Sequence, residues 1–208
     1  NKPAETADST NAATDSVVAE SPLDNAVVRA IMDRRSVRKY KPEPVPKEML
    51  DVILHCGINA PNAMNEQRWE VRVTESKAFI DGVTKVFVES AENDERVKKM
   101  VENPDFHNMF RNAPTVIFVA GKADEKSSPI DCGLLGENIM LAAQSMGLGT
   151  CCLGSAAGFL NSNPGAANYL KQLAFSDGYE LLYAIAIGYP DESPEAKPRD
   201  ASKIRYIE

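Results

Sequence analysis

The chain has 208 residues, 43% of them hydrophobic and 25% charged, which suits one sizeable domain with a core and excludes a wholly disordered chain. Thirty acidic against 23 basic side chains give a formal net charge of -7, and that balance argues against a general nucleic-acid binder, whose phosphate contacts need surplus Lys and Arg. No run of about 18 apolar residues occurs, so nothing reads as a membrane-spanning helix.

The first 24 residues stand apart. Glu5, Asp8, Asp15, Glu20 and Asp24 against Lys2 alone place four of the seven net negatives there, and the stretch has no aromatic, Gly, Cys or Met. Such a segment buries too little apolar surface to offset its ordering entropy, so 1–24 reads as a disordered leader and 25–208 as the domain. An Ala/Thr/Ser/Asp leader is what often remains once a secretory or lipoprotein signal is removed. An exported or lipoprotein-type (lipid-anchored) leader is therefore favoured over a cytoplasmic location, the alternative being an arbitrary chain boundary.

Ser21-Pro22-Leu23-Asp24 reads as a helix start, with Leu23, Val27, Ala30 and Ile31 on one face, and the helix is expected to run into Arg34-Arg35-Ser36-Val37-Arg38. A second helix begins near Pro46 and buries Met49, Leu50, Ile53, Leu54 and Gly57, stopping at the loop 59–65. Trp69, Val71 and Val73 alternate with charges as a strand with one wet face. A helix around Phe79–Phe87, a charged stretch and an aromatic segment with Phe106 and Phe110 follow. Thr115–Ala120 is a continuous apolar run and hence a central strand. The helix from Pro129 to Met146 is apolar nearly all round and should be buried, with Gly147 as its cap. A short strand at Thr150–Leu153, a flexible loop at Gly154–Gly158, a helix opened by Asn163-Pro164 and a last strand at Glu180–Ile187 complete the order. Strict βαβ alternation is absent, which points to an α+β fold.

Arg34, Arg35, Ser36 and Arg38 concentrate three guanidiniums and a hydroxyl within five residues, a donor set suited to phosphate. A solvated helix terminus is the competing explanation. Lys197 and Arg199 form a second cationic pair beyond the last strand. Asn62, Asn65 and Gln67 offer amides that can read a heterocycle edge, although turn chemistry explains an Asn-rich loop as well. Cys56, Cys132, Cys151 and Cys152 show no metal-ligand spacing and read as small buried hydrophobes, and His55 and His107 suggest no metal site. No dinucleotide-binding or P-loop glycine pattern follows a strand.

Taken together, and in order, four segments resemble the nitroreductase family of FMN-dependent oxidoreductases: Arg34–Arg38, Ala60–Trp69, Asp131 through Gly149, and Gly188-Tyr189-Pro190 leading to Lys197-Pro198-Arg199. The resemblance implies an α+β sandwich with a central, mostly antiparallel sheet flanked by helices, and a homodimer whose two flavin sites are shared between chains. It implies that Arg34, Arg35, Ser36, Arg38, Lys197 and Arg199 grip the FMN phosphate and ribityl chain. Pro61, Asn62, Ala63, Asn65 and Gln67 would contact the flavin, and Leu153, Gly154 and Ser155 would lie along its ring. The expected activity is ping-pong hydride transfer from NAD(P)H to small electrophilic acceptors such as nitroaromatics or quinones, with no side chain acting as acid or base. Phe106 and Phe110 are candidates for stacking on the acceptor, with core packing as the alternative. The chain departs from the family pattern at Arg68, where Pro is usual and where an added cation bears on substrate choice, and at Asn62-Ala63, where Ser is usual. The stretch between Ser90 and Arg111 is short for a substrate lid. Rival expectations are a reductive dehalogenase or flavin-fragmenting enzyme on the same scaffold, and a non-enzymatic flavin-binding protein.

Overall fold

The computed structural model describes residues 21–207; the leader expectation for residues 1–20 lies outside them. Four strands form one antiparallel sheet in the order β1-β2-β4-β3, where β1 is Trp69–Thr74, β2 Thr115–Lys122, β3 Gly149–Leu153 and β4 Tyr179–Gly188. Both central strands read as unbroken apolar runs because helices cover both faces of the sheet. Side chains alternate along them. Val116 and Phe118 of β2 with Ala184 and Ala186 of β4 face one layer, and Ile117, Val119, Ile185 and Ile187 face the other.

The first layer is built by α3 (Lys77–Glu89) and α6 (Gly154–Ser162), whose Phe79, Val83, Phe87, Ala156 and Leu160 enter the core. The second is built by α2 (Lys47–Ile58) and α5 (Ser128–Ser145) through Leu50, Ile53, Leu135, Ile139 and Ala143. The expected α+β sandwich is thus the observed one. Gly136 lets the Tyr183 ring lie against α5, where its hydroxyl donates to the Cys132 carbonyl. Gly147 ends α5 at φ +76, the left-handed turn that favours glycine. The remaining helices are α1 (Ala26–Asp33), α4 (Glu95–Val101) and α7 (Ala167–Gln172). No helix among the described residues is long and apolar enough to cross a membrane.

Several expectations need correction. The first helix starts at Asn25, not Ser21, because the Asn25 side chain accepts from both Val27 N–H and Val28 N–H. It buries nothing: Val27 is 66% and Ile31 52% exposed. It also stops at Asp33, before the arginines. The Gly154–Gly158 stretch is helical, since Ala156 and Ala157 are small enough to pack under β4. On α5, Ile130 and Leu134 stay exposed, so that helix is buried on one side only. Cys132 and Cys151 are buried as expected, whereas Cys56 and Cys152 are exposed.

Ser36 pairs with Thr150 in a parallel bridge, and Val37 N–H donates to the Thr150 carbonyl at 2.9 Å, so an extended segment follows α1 along the free edge of β3. A Cβ on Gly149 would lie 2.8 Å from Val37 Cβ, so only glycine allows this approach. Gly149→Ala should destabilise the protein by about 1–3 kcal/mol, as overpacking of a core does; a urea midpoint equal to wild type would show that the segment is loosely seated.

Candidate functional site

Extended backbone turns successive side chains to opposite sides. Val37 therefore enters the core at 6% exposure, while Ser36 beside it is half-buried and Arg38 exposed. The chain is held on its other side as well. Lys41 N–H donates to the Tyr189 carbonyl and Asp191 N–H to the Lys39 carbonyl, both at 2.9 Å, and the Glu192 carboxylate accepts from Arg38 N–H. Buried Tyr40 donates its hydroxyl to the Val37 carbonyl at 2.5 Å, and burial raises its pKa, so it stays a neutral brace. Arg34 lies 3.8 Å from Glu137 of α5, a half-exposed pair that orients the guanidinium more than it stabilises the fold. Arg35 folds back on carbonyls of Met32 and Arg34 at 2.7 and 2.8 Å. Arg34 and Arg38 each donate once to a nearby backbone carbonyl, of Arg35 at 3.3 Å and of Ser36 at 3.0 Å, and keep further guanidinium N–H groups beside β3; Arg35 makes two such bonds.

The second part is the loop between α2 and β1. Met64, Asn65 and Gln67 have φ of 56, 54 and 50, left-handed conformations in residues other than glycine, each at a cost of order 1 kcal/mol or more. Asp131, 4% exposed in the first turn of α5, accepts from Ala63 N–H with both oxygens at 3.3 Å. The Asn62 amide oxygen accepts from Gln67 N–H at 2.9 Å and its nitrogen donates to the Ala60 carbonyl. Asn62 therefore spends its amide on the turn, the competing explanation for an Asn-rich loop. Asn65 makes no side-chain hydrogen bond among the described residues, and Gln67 makes only one, at 3.4 Å, to the Asn65 carbonyl. Pro61, Asn65 and Gln67 are exposed and Ala63 is half-buried. Helix α5 connects the two parts: Asp131 and Glu137 are six residues apart, about 9 Å along its axis.

Beyond β3, Leu153 is buried in the core, which leaves only its backbone for a ligand. Gly154 and Ser155 are exposed and open α6, whose first turn has no side-chain cap, so their N–H groups are available donors. A Cβ on Gly154 would meet nothing within 4 Å, so this end of the strand is open. Next to Arg38 lies a cavity of about 590 Å³, walled by Tyr40 and Glu192 on one side and by Phe106, His107 and Arg111 on the other. Phe106 stacks on Phe87 and lines this space. Phe110 does not: it is fully buried and edge-on to Phe118 at 5.7 Å, so its candidacy as a substrate contact is corrected to core packing.

Sequence reasoning missed Arg111. It sits at φ 60, followed by Asn112 at φ 64, in a bracket where Asn112 accepts from His107 and Asn108 N–H and Asn108 accepts from Phe110 and Asn112 N–H. The two asparagines four residues apart were the available signal. Among the described residues the Arg111 guanidinium reaches only the Met100 sulfur, at 3.6 Å. Lys197 and Arg199 lie exposed on the tail, with Arg199 bonded to the Lys197 and Pro198 carbonyls. Among the described residues no hydrogen bond or ion pair brings them to Arg34, Ser36 or Arg38. The site holds no activated thiol: burial pushes Cys132 up to about 11 and raises Cys151 and Cys152, so these thiols are protonated at neutral pH.

Because Ala63 N–H has no partner except Asp131 among the described residues, Asp131→Ala should cost about 1–3 kcal/mol and Asp131→Asn less, as read by urea unfolding. An unchanged midpoint in Asp131→Ala would remove this anchor.

The profile of the nitroreductase family matches residues 31–189. The chain is 29% identical over 186 residues to the NADPH-flavin oxidoreductase of Vibrio harveyi, covering 84% of this chain and 70% of that one. It is 28% identical over 189 residues to the FMN reductase [NAD(P)H] of Bacillus subtilis, covering 84% and 70%. Among solved structures, a nitroreductase with bound FMN from Desulfitobacterium hafniense superposes with a TM-score of 0.80 at 27% identity, covering 88% of this chain and 99% of that one. The match spans the arginine segment, the strained loop, α5 and the whole sheet, and the chain belongs to the nitroreductase family.

Proposed function

We propose that this protein is an FMN-dependent oxidoreductase that takes electrons from NAD(P)H and delivers them to small electrophilic acceptors such as nitroaromatics and quinones. The observation that carries this reading is the outward array of Arg34, Ser36 and Arg38 on an extended segment clamped to β3. The donor set fits the cofactor. Guanidiniums and a hydroxyl suit a phosphate and a polyol, and the spare amides of Asn65 and Gln67 suit a heterocycle edge. The N–H groups of Gly154 and Ser155 are uncapped donors at the open end of β3.

Bound there, FMN supplies the ring that accepts and returns a hydride, so the protein contributes placement and electrostatics. Arg34, Ser36 and Arg38 hold the phosphate end, and Asn65 and Gln67 orient the ring. The cavity mixes cations (Arg38, Lys39, Arg111) with carboxylates (Asp105, Asp191, Glu192), and Phe106 offers an aromatic wall to a planar acceptor. No side chain is required to take or give a proton. Lys197 and Arg199 fit the same role from a second chain, since they are exposed on a tail that also exposes Ile204, Tyr206 and Ile207.

A homodimer accounts for the apolar surfaces left bare on α1 and α5, where Val27, Ile31, Ile130 and Leu134 meet water. Sedimentation should give about twice the 22.7 kDa chain mass, and Ile31→Asp should shift it toward the monomer; a wild-type monomer would refute the shared site.

Purified protein reconstituted with FMN should bleach near 450 nm on anaerobic addition of NADH or NADPH and recover with a nitroaromatic or quinone. Absence of bleaching with both nucleotides would sink the assignment. Arg34→Ala and Arg199→Ala should each weaken FMN binding by about 1–2 kcal/mol, roughly tenfold. Unchanged affinity in both variants would move the phosphate site elsewhere.

A further inference from the structure

Arg68 ends the site loop just before β1, and the sequence reads it as a spare cation beside the substrate. Its surroundings say otherwise. The side chain is 23% exposed and lies between two carboxylates: Nη2 pairs with Glu66 Oε2, and Nη1 donates to Glu125 Oε2 at 2.8 Å. Glu66 belongs to the loop, whereas Glu125 lies in the turn between β2 and α5. The Arg68 backbone is tied to that same turn. Its carbonyl accepts from the Ser128 hydroxyl at 3.0 Å and from Lys122 N–H at 3.3 Å. One guanidinium is thus shared by two carboxylates, and its charge is compensated within the group.

Met64, Asn65 and Gln67 are left-handed and exposed, so no burial of their own holds them in that conformation. The Asn62 side chain closes the loop from within, on Gln67 N–H, and two ties fasten it to the body: Asp131 on Ala63, and Arg68, paired with Glu66 and Glu125 on either side. We propose that Arg68 is a positioning residue that straps the loop, through Glu125, to the β2–α5 turn and thereby holds Asn65 and Gln67 where they face the ring system. The last step, presentation to the ring, rests on the flavin reading. The strap itself is a property of the flavin-free chain.

The test is hydrogen–deuterium exchange of residues 62–67 in the flavin-free protein, with FMN affinity measured on the same samples. Arg68→Met and Glu125→Gln should each raise loop exchange at least tenfold while β2 and α3 amides keep their protection. The double variant should exchange no faster than the faster single one, because both act on one interaction. Arg68→Lys, which keeps the charge and loses the fork, should fall between wild type and Arg68→Met. FMN affinity should drop several-fold in step. Loop exchange unchanged in both single variants overturns the strap, and if the KM for a nitrobenzoate then shifts in Arg68→Met, Arg68 is a substrate-facing cation instead. A wild-type protein that binds no FMN yet shows the exchange pattern keeps the strap and removes the flavin reading.

Discussion

The hydrogen bond from Val37 N–H to the Thr150 carbonyl fixes the geometry on which the site depends. It makes the chain after α1 a strand where a helix would have scattered the arginines around an axis. With Val37 facing the core, Ser36 and Arg38 face outward, and the side chains that could bind an anion share one side. The bond requires a close approach of two backbones, which the bare Cα of Gly149 permits. It is secured downstream by Tyr40, Lys41 and Asp191, which tie the same stretch to the chain leaving β4. A surface cluster of charge is thus positioned by buried apolar packing and backbone hydrogen bonds.

The layers follow from period-two patterning in the two central strands. Thr115–Ala120 was legible as a central strand because a run apolar at every position needs cover on both faces, and α3/α6 and α2/α5 supply it. Gly147 was legible for a local reason, since the end of α5 needs a left-handed residue. The start of α1 was not, because Ser21-Pro22 and Asn25 are both good caps and only the structure shows which side chain reaches two amides. The Gly154–Gly158 helix was hidden for another reason: small residues read as flexible until a partner surface fits them, and β4 is that surface.

At the site, residue types were easier to read than residue roles. The cluster Arg34–Arg38 and the loop 61–67 were visible as donor-rich segments, yet Asn62 and Arg35 spend their donors internally. Phe110 could have stacked on a ligand or packed in the core, and the bracket made by Asn108 and Asn112 accompanies its full burial. Arg68 was legible as an added cation, and its pairing was not. Its partner Glu125 lies across the turn into α5, and no local pattern announces a pairing 57 residues apart.

Helix α5 carries Asp131, which fastens the loop, and Glu137, which orients Arg34. Both parts of the site are thereby indexed to one rigid rod, and this sets which changes of chain length the protein tolerates. An extra residue between Asp131 and Glu137 would rotate one against the other by about 100° and break their common register. An extra residue between Ser90 and Asp94, ahead of α4, would be absorbed at the surface with both fastenings in place. Insertions that diversify this scaffold should therefore accumulate around α4 and spare the first half of α5.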